Sequence, residues 1–281
     1  MISRLLDFLN LTKPRVTLMV VLTALAGYVL AGSGRGIVFV WMAIGTGLVA
    51  GATGCLNQYL ERKEDGLMKR TQRRPLPAGR INSVHALVFG VALAVIGSVI
   101  LWWKVNTLAC LLADFTLGGY LWGYTPLKKK HPIALWVGAV PGAMPPLIGW
   151  AAARGSLDVG AWCLFGIQFC WQIPHFLALA WLYREDYAAA GFRVVGRDDL
   201  TPDGVLRHME WASWALLLAS FTPTLAGLAG TRYLLVAGLA GLVFLRVVHQ
   251  ARRSLSGPDI RRVFTASLAY LPLLFLFLWV D

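Results

Sequence analysis

The chain reads as long uncharged runs separated by short polar segments. Such runs occupy Val16–Gly34, Ile37–Leu60, Ile81–Trp103, Ile133–Ala153, Val159–Tyr183, Trp211–Thr231 and Val263–Val280. Each is close to the roughly 20 apolar residues, or about 17 to 25, that a helix needs to cross a bilayer. Val105–Leu127 is similar but holds Asp114, and Tyr233–Val248 is shorter, with Arg246 near its end. Counting both, the pattern predicts nine transmembrane helices in an all-α polytopic membrane protein, built as a single domain over 1–281.

Composition narrows the class further. The sequence is 57% hydrophobic and 14% charged, with a mean hydropathy of +0.62. A soluble domain is about a quarter charged, and a disordered chain needs low hydrophobicity, so neither class fits. The four cysteines, Cys55, Cys110, Cys163 and Cys170, lie inside apolar runs without a C-x-x-C pair. They read as small buried hydrophobes. Lys13 and Arg15 abut an apolar run long enough to stay in the membrane, so no cleavable signal peptide is expected. The absence of an Arg- and Ser-rich leader favours a bacterial plasma membrane over an organellar one.

The net charge of +12 invites a nucleic-acid partner, but its distribution argues against one. The N-terminus and segments 61–80, 128–130, 184–210 and 246–262 hold 22 of the 26 Lys and Arg, whereas the alternate connections hold only Arg35, Lys104, Arg154 and Arg232. This is the positive-inside bias. It predicts a cytoplasmic N-terminus, an outside C-terminus and an active face toward the cytoplasm, where the polar loops 61–81, 124–132 and 183–210 gather.

Asn57, Glu61 and Asp65 follow one another at i, i+4 and i+8. On a helix they share one face, about 6 Å apart along the axis, and Asp65-Gly66 reads as a helix stop. Mg²⁺ takes oxygen ligands, usually one or two carboxylates completed by phosphate oxygens and water. Lys69, Arg70, Arg73 and Arg74 follow and could neutralise a diphosphate. The alternative is a solvated helix end paired to nearby lysines. A second cluster, Gln172, His175, Tyr183, Arg184, Glu185, Asp186 and Tyr187, ends the Val159–Tyr183 run. Gln172 and His175 are i, i+3 and are expected to share a face; His175 is either a packed polar residue or a ligand. Asp114 is equally open between structure and function. The small residues of 45–54 (GTGLVAGATG) predict close helix packing.

At this level of detail N-Q-Y-L-E-R-K-E-D-G-L-M-K-R-T-Q-R-R-P-L-P-A-G-R-I (57–81) resembles the first aspartate-rich motif of the UbiA-type intramembrane prenyltransferases. K-P-R-V-T (13–17), Y-T-P-L-K (124–128), G-A-V-P-G-A-M-P-P-L-I-G-W (138–150), W-Q-I-P-H-F-L-A-L-A (171–180) and R-E-D-Y-A-A-A-G (184–191) resemble that family's heme-farnesylating branch, the heme O synthases. The resemblance implies nine helices around a central chamber and transfer of a farnesyl group from farnesyl diphosphate to a vinyl group of heme b, with water added. Asn57, Glu61 and Asp65 would then bind Mg²⁺–diphosphate, assisted by Lys69, Arg70 and Arg74. Tyr124 and Lys128 would meet a substrate, Lys128 through diphosphate or a heme propionate. Gln172, His175, Arg184 and Asp186 would form the second half of the site, with Asp186 catalytic and His175 an axial heme ligand. A downstream heme-modifying enzyme is a possible partner. The chain departs from the family pattern in having Glu61 where Asp is usual, in lacking a second D-x-x-x-D, and in carrying His131-Pro132-Ile133 where the heme enzymes usually have Thr and Asn. The rivals are a prenyltransferase for an aromatic or quinone-precursor acceptor, and a transporter; no repeat between the halves favours the latter.

Overall fold

Polar caps and glycines divide the chain into helices where the apolar runs end. In the computed structural model, which describes residues 2–32, 34, 36–193 and 202–281, the elements are α1 (Ile2–Leu11), α2 (Pro14–Leu30), α3 (Ile37–Leu60), α4 (Arg62–Leu67), α5 (Ser83–Lys104), α6 (Thr107–Gly118), a π-helical segment (Gly119–Tyr124), α7 (Thr125–Leu127), α8 (Ala134–Gly142), α9 (Pro145–Arg154), α10 (Val159–Leu182), α11 (Arg184–Ala189), α12 (Pro202–Leu225), α13 (Thr231–Ser254) and α14 (Gly257–Val280). Side-chain acceptors start several of them. Asn82 takes the Val84 amide, Asn106 the Ala109 amide, Asp158 the Gly160 amide and Ser256 the Asp259 amide.

Six of these stretches are long and apolar enough to span a bilayer: Ile37–Leu60, Ser83–Lys104, Ala134–Arg154, Val159–Leu182, Thr231–Ser254 and Gly257–Val280. A seventh is reached if α1 and α2, bent by 48° at their junction, act together. The predicted run Tyr233–Val248 extends to a full span, because α13 continues through Arg246 to Ser254. Val105–Leu127 instead carries Asp114 and breaks into α6, the π segment and α7. The run at Trp211 lies on α12, whose first turns, PDGVLRHMEW, are polar.

The helices pack in chain order, α2 on α3, α3 on α5, α5 on α6, α6 on α9, then α10, α12, α13 and α14 in succession. Helix α14 touches both α10 and α2, which closes the ring. One apolar cluster runs through it from Ala24 to Leu278. Outward faces stay apolar, as on α5, where Val84, Val88, Val91, Val95 and Trp102 are exposed. That is a surface made for lipid.

Small residues set the closest crossings. Gly45 and Gly97 bring α3 against α5, and Gly54 lies against the Thr12 carbonyl at the α1–α2 bend, as the small-residue stretch 45–54 predicted. At the α2–α9 crossing, a methyl at Gly149 would land on the Ala24 carbonyl and the Tyr28 amide. Gly149→Ala is therefore expected to force α2 and α9 apart. Overpacking of this kind costs about 1–3 kcal/mol, a drop of about 5 °C in the melting midpoint of the detergent-solubilised chain. Gly166→Ala, on α10 with open space around it, is the control and should leave the midpoint unchanged.

Candidate active site

The acid column begins where α3 ends. Helix α3 stops at Leu60, Glu61 has φ −101° and ψ 12°, and α4 restarts at Arg62. The column is thus not one unbroken helix. Its spacing survives because the Glu61 amide still donates to Asn57 O (3.0 Å) and the Asp65 amide to Glu61 O (2.8 Å). The predicted stop at Gly66 is one residue early: α4 runs to Leu67 and is ended by extended Met68. Glu61, Asp65 and Lys128 are the buried charged side chains among the described residues. All three belong to this site.

Each is paired. Lys128 Nζ lies 2.5 Å from Glu61 Oε1, over the Phe192 ring at 4.3 Å and the Tyr124 ring at 5.4 Å. Arg74 Nη1 donates to both Asp65 oxygens, at 3.0 and 2.8 Å, and Thr71 Oγ1 donates to the Asp65 carbonyl at 2.8 Å. The π segment turns Tyr124 toward Lys128, a local unwinding of the kind found at functional sites. On the rim, burial pushes the Glu64 carboxyl up, but its hydrogen bond and ion pair with Lys129 outweigh that and hold it below the ordinary carboxylate range.

Lys13 joins the column, although sequence reading gave it no role. Its Nζ donates to Asn57 Oδ1 at 2.6 Å, and Asn57 Nδ2 donates to Thr125 Oγ1 at 3.3 Å. Lys13 reaches Asn57 from a left-handed backbone, φ 51° and ψ 60°, costly for a residue with a side chain. Gln58 holds that bend by donating to the carbonyls of Asn10 and Leu11 at the end of α1. The only sequence cue was the K-P-R-V-T segment itself.

The second cluster meets the first at Asp186. Its Oδ1 accepts the Lys69 amide at 3.1 Å, and Oδ2 lies 4.0 Å from Arg70 Nε. The Arg70 guanidinium sits 5.2 Å from the ring centres of both Tyr183 and Tyr187. Burial raises the Tyr187 hydroxyl above its ordinary pKa, opposed by the Arg70 charge. Met68, Ala180, Ala190 and Phe192 form a small apolar cap over this junction, and the Arg193 amide donates to the Lys128 carbonyl at 2.8 Å.

Three predicted residues lie apart. Gln172 donates to the Ala139 carbonyl on α8 at 2.6 Å, whereas His175 pairs with Ser267 on α14. They do not share a partner, because residues three apart on a helix point roughly 60° from one another. Arg184 is exposed and folds back onto the Trp181 carbonyl and ring. Within the predicted loop 183–210, residues 194–201 lie outside the described residues. Asp114 forms a clasp between α5 and α6, taking the Ser98 hydroxyl at 2.5 Å and the Cys110 thiol at 3.4 Å.

Among the described residues no group of three or more His, Cys, Asp or Glu is arranged to hold a metal ion alone. The donors of the column are nevertheless oxygens, the set a hard cation takes, and Glu61 Oε1 is buried against the Lys128 ammonium. These donors fit a cation that brings its own polyanion: Asn57, Glu61 and Asp65 would hold the cation, and Lys13, Lys128 and Arg74 would face the anion.

Comparison with known proteins gives the family and the fold. The sequence pattern described as the UbiA prenyltransferase family matches residues 20–279. The protoheme IX farnesyltransferase of Solibacter usitatus is 41% identical over 98% of both chains. That of Salinibacter ruber is 40% identical, again over 98% of both. Among solved structures, a digeranylgeranylglyceryl phosphate synthase superposes with a TM-score of 0.82 at 15% identity, covering 99% of this chain and 98% of that one. A UbiA homologue from Archaeoglobus fulgidus bound to GPP and Mg²⁺ superposes with a TM-score of 0.70 at 13% identity, covering 97% and 99%. The chain belongs to the UbiA prenyltransferase family.

Proposed function

We propose that this prenyltransferase moves the farnesyl group of farnesyl diphosphate onto a vinyl group of heme b, adding water and releasing diphosphate, and so makes heme O for heme-copper terminal oxidases. The observation that carries this reading is the joining of the two half-sites, Asn57–Glu61–Asp65 with Lys128 on one side and Lys69–Arg70 with Asp186 on the other. Together they bring acids and bases to one end of the helix ring, above an apolar interior.

In this reading Asn57, Glu61 and Asp65 bind a Mg²⁺–diphosphate, and the metal when bound supplies charge to the leaving group. Lys13, Lys69, Arg70, Arg74 and Lys128 take up the remaining negative charge. The C–O bond of the donor breaks with its electron pair going to diphosphate. The vinyl group's terminal carbon bonds to the allylic carbon, and water adds at its inner carbon and gives a proton to solvent. Asp186 orients Arg70 and the Lys69 backbone, while Tyr124 and Tyr187 shield the reacting end from bulk water. We read Gln172 and Arg184 as acceptor-side residues, although in this structure they bond to Ala139 and Trp181, and His175 as an axial ligand of the heme iron.

The chain is read as one domain over 1–281 in a bacterial plasma membrane. The six qualifying helices, with Pro14–Leu30, Thr107–Leu127 and Pro202–Leu225, make nine spans, N-terminus inside and C-terminus outside. The site then opens to the cytoplasm, where a downstream heme-modifying enzyme could collect the product.

A competition assay tests the acceptor. Membranes carrying the chain, given farnesyl diphosphate and Mg²⁺ and offered heme b beside an aromatic acid, are expected to prenylate the heme alone. A prenylated aromatic acid with unmodified heme would transfer the assignment to an aromatic or quinone-precursor acceptor. Lys13→Met, which removes a charged contact worth about 1.5–3 kcal/mol, is expected to raise the KM for farnesyl diphosphate at least about tenfold and leave heme affinity unchanged. An unchanged KM would remove Lys13 from the donor site.

A further inference from the structure

The His175 ring is covered on both faces. Trp171 stacks on it at 4.9 Å and 20°, Phe264 at 4.8 Å and 27°, and Phe176 meets it edge-on at 5.4 Å. Only its in-plane edges remain for chemistry, and one of these is taken: Nδ1 lies 2.8 Å from Ser267 Oγ. Ser267 is fully buried on α14, and its hydroxyl also lies 2.6 Å from the Phe264 carbonyl.

A carbonyl can only accept, and a serine hydroxyl carries a single proton. That proton goes to Phe264, which leaves Oγ as an acceptor toward His175. Nδ1 therefore carries the hydrogen, and the lone pair of the neutral ring is on Nε2. No hydrogen bond reaches Nε2 among the described residues. Trp171 fixes the arrangement from its other end, its Nε1 donating to the Ser267 carbonyl at 2.6 Å.

We propose that Ser267 is a positioning residue for the acceptor: it holds His175 in the Nδ1–H tautomer so that Nε2 offers its lone pair to the iron of a bound iron porphyrin. The proposal deepens the reading above and rests on it. The hydrogen bond at one imidazole nitrogen decides which tautomer a metal meets, and loss of such a partner weakens metal affinity about 10–100-fold.

The test is a titration of the purified full chain in detergent with ferric heme b, following the Soret band, the spin state and the dissociation constant. His175→Ala is expected to lose the histidine-ligated spectrum. Ser267→Ala should move toward that spectrum and bind heme about tenfold more weakly, with the KM for farnesyl diphosphate unchanged. Ser267→Thr, which keeps the hydroxyl, should restore both. A Ser267→Ala chain with wild-type spectrum and affinity, or a Thr variant that fails to rescue, overturns the role of Ser267 while the axial assignment stands. A His175→Ala chain with unchanged heme binding overturns the axial assignment and this proposal together, and leaves prenyl transfer to be judged by its product. Isotope-edited NMR of labelled histidine in the unmutated chain gives an independent answer: an Nε2–H signal for His175 overturns the proposal.

Discussion

Asp65→Asn is expected to lower prenyl transfer about 10²–10³-fold, the range seen when one preorganised electrostatic contact is removed, with the chain still folded. Asp65 is 1% exposed, and its carboxylate engages Arg74 through both oxygens. Its backbone is held separately, through Thr71. Asparagine keeps the shape and one acceptor for Arg74 but removes the negative charge on which a cation would depend. Rates of diphosphate release and a thermal melt, measured on the same membranes, check both halves. Activity within a few-fold of the unmutated chain would remove the acid column from the chemistry.

The second large effect is expected at Lys128. Glu61 is 4% exposed, and Lys128 is its ion-pair partner. Lys128→Met strands that carboxylate, and breaking one side of a buried pair costs about 3–5 kcal/mol. The melting midpoint should fall and activity should be lost. Glu61→Gln combined with Lys128→Met removes both charges, so most of the stability should return while activity does not. A double variant as unstable as Lys128→Met alone would show that Lys128 acts by packing on Phe192 and Tyr124, not by neutralising Glu61.

What the sequence made legible follows from distance along the chain. Asn57, Glu61 and Asp65 are near neighbours, so their i+4 spacing was readable, and the backbone hydrogen bonds preserve it across the break at Glu61. The family motifs linked this column to Asp186, 117 residues from Lys69, a contact no local pattern contains. Lys13 was missed because its place depends on a left-handed turn, on Gln58, and on glycines of α3 that admit the bend. Ser267 gave no signal: a serine in an apolar run shows neither its partner nor its proton. Gln172 and His175 were grouped because proximity in sequence cannot say which neighbouring helix each will meet. Helix count behaved similarly. Apolar length found the long helices, but Asp114 and the π segment interrupt one run and polar turns open another.

The most direct measurement is mass analysis of hemes extracted from membranes that carry the chain and are supplied with heme b, farnesyl diphosphate and Mg²⁺ in isotopically heavy water. A heme heavier by one farnesyl group plus one water, with the heavy oxygen in the new hydroxyl, is the predicted product, and it should vanish when Mg²⁺ is chelated. Unmodified heme from membranes with intact, folded protein would contradict heme farnesylation and leave a UbiA prenyltransferase with a different acceptor.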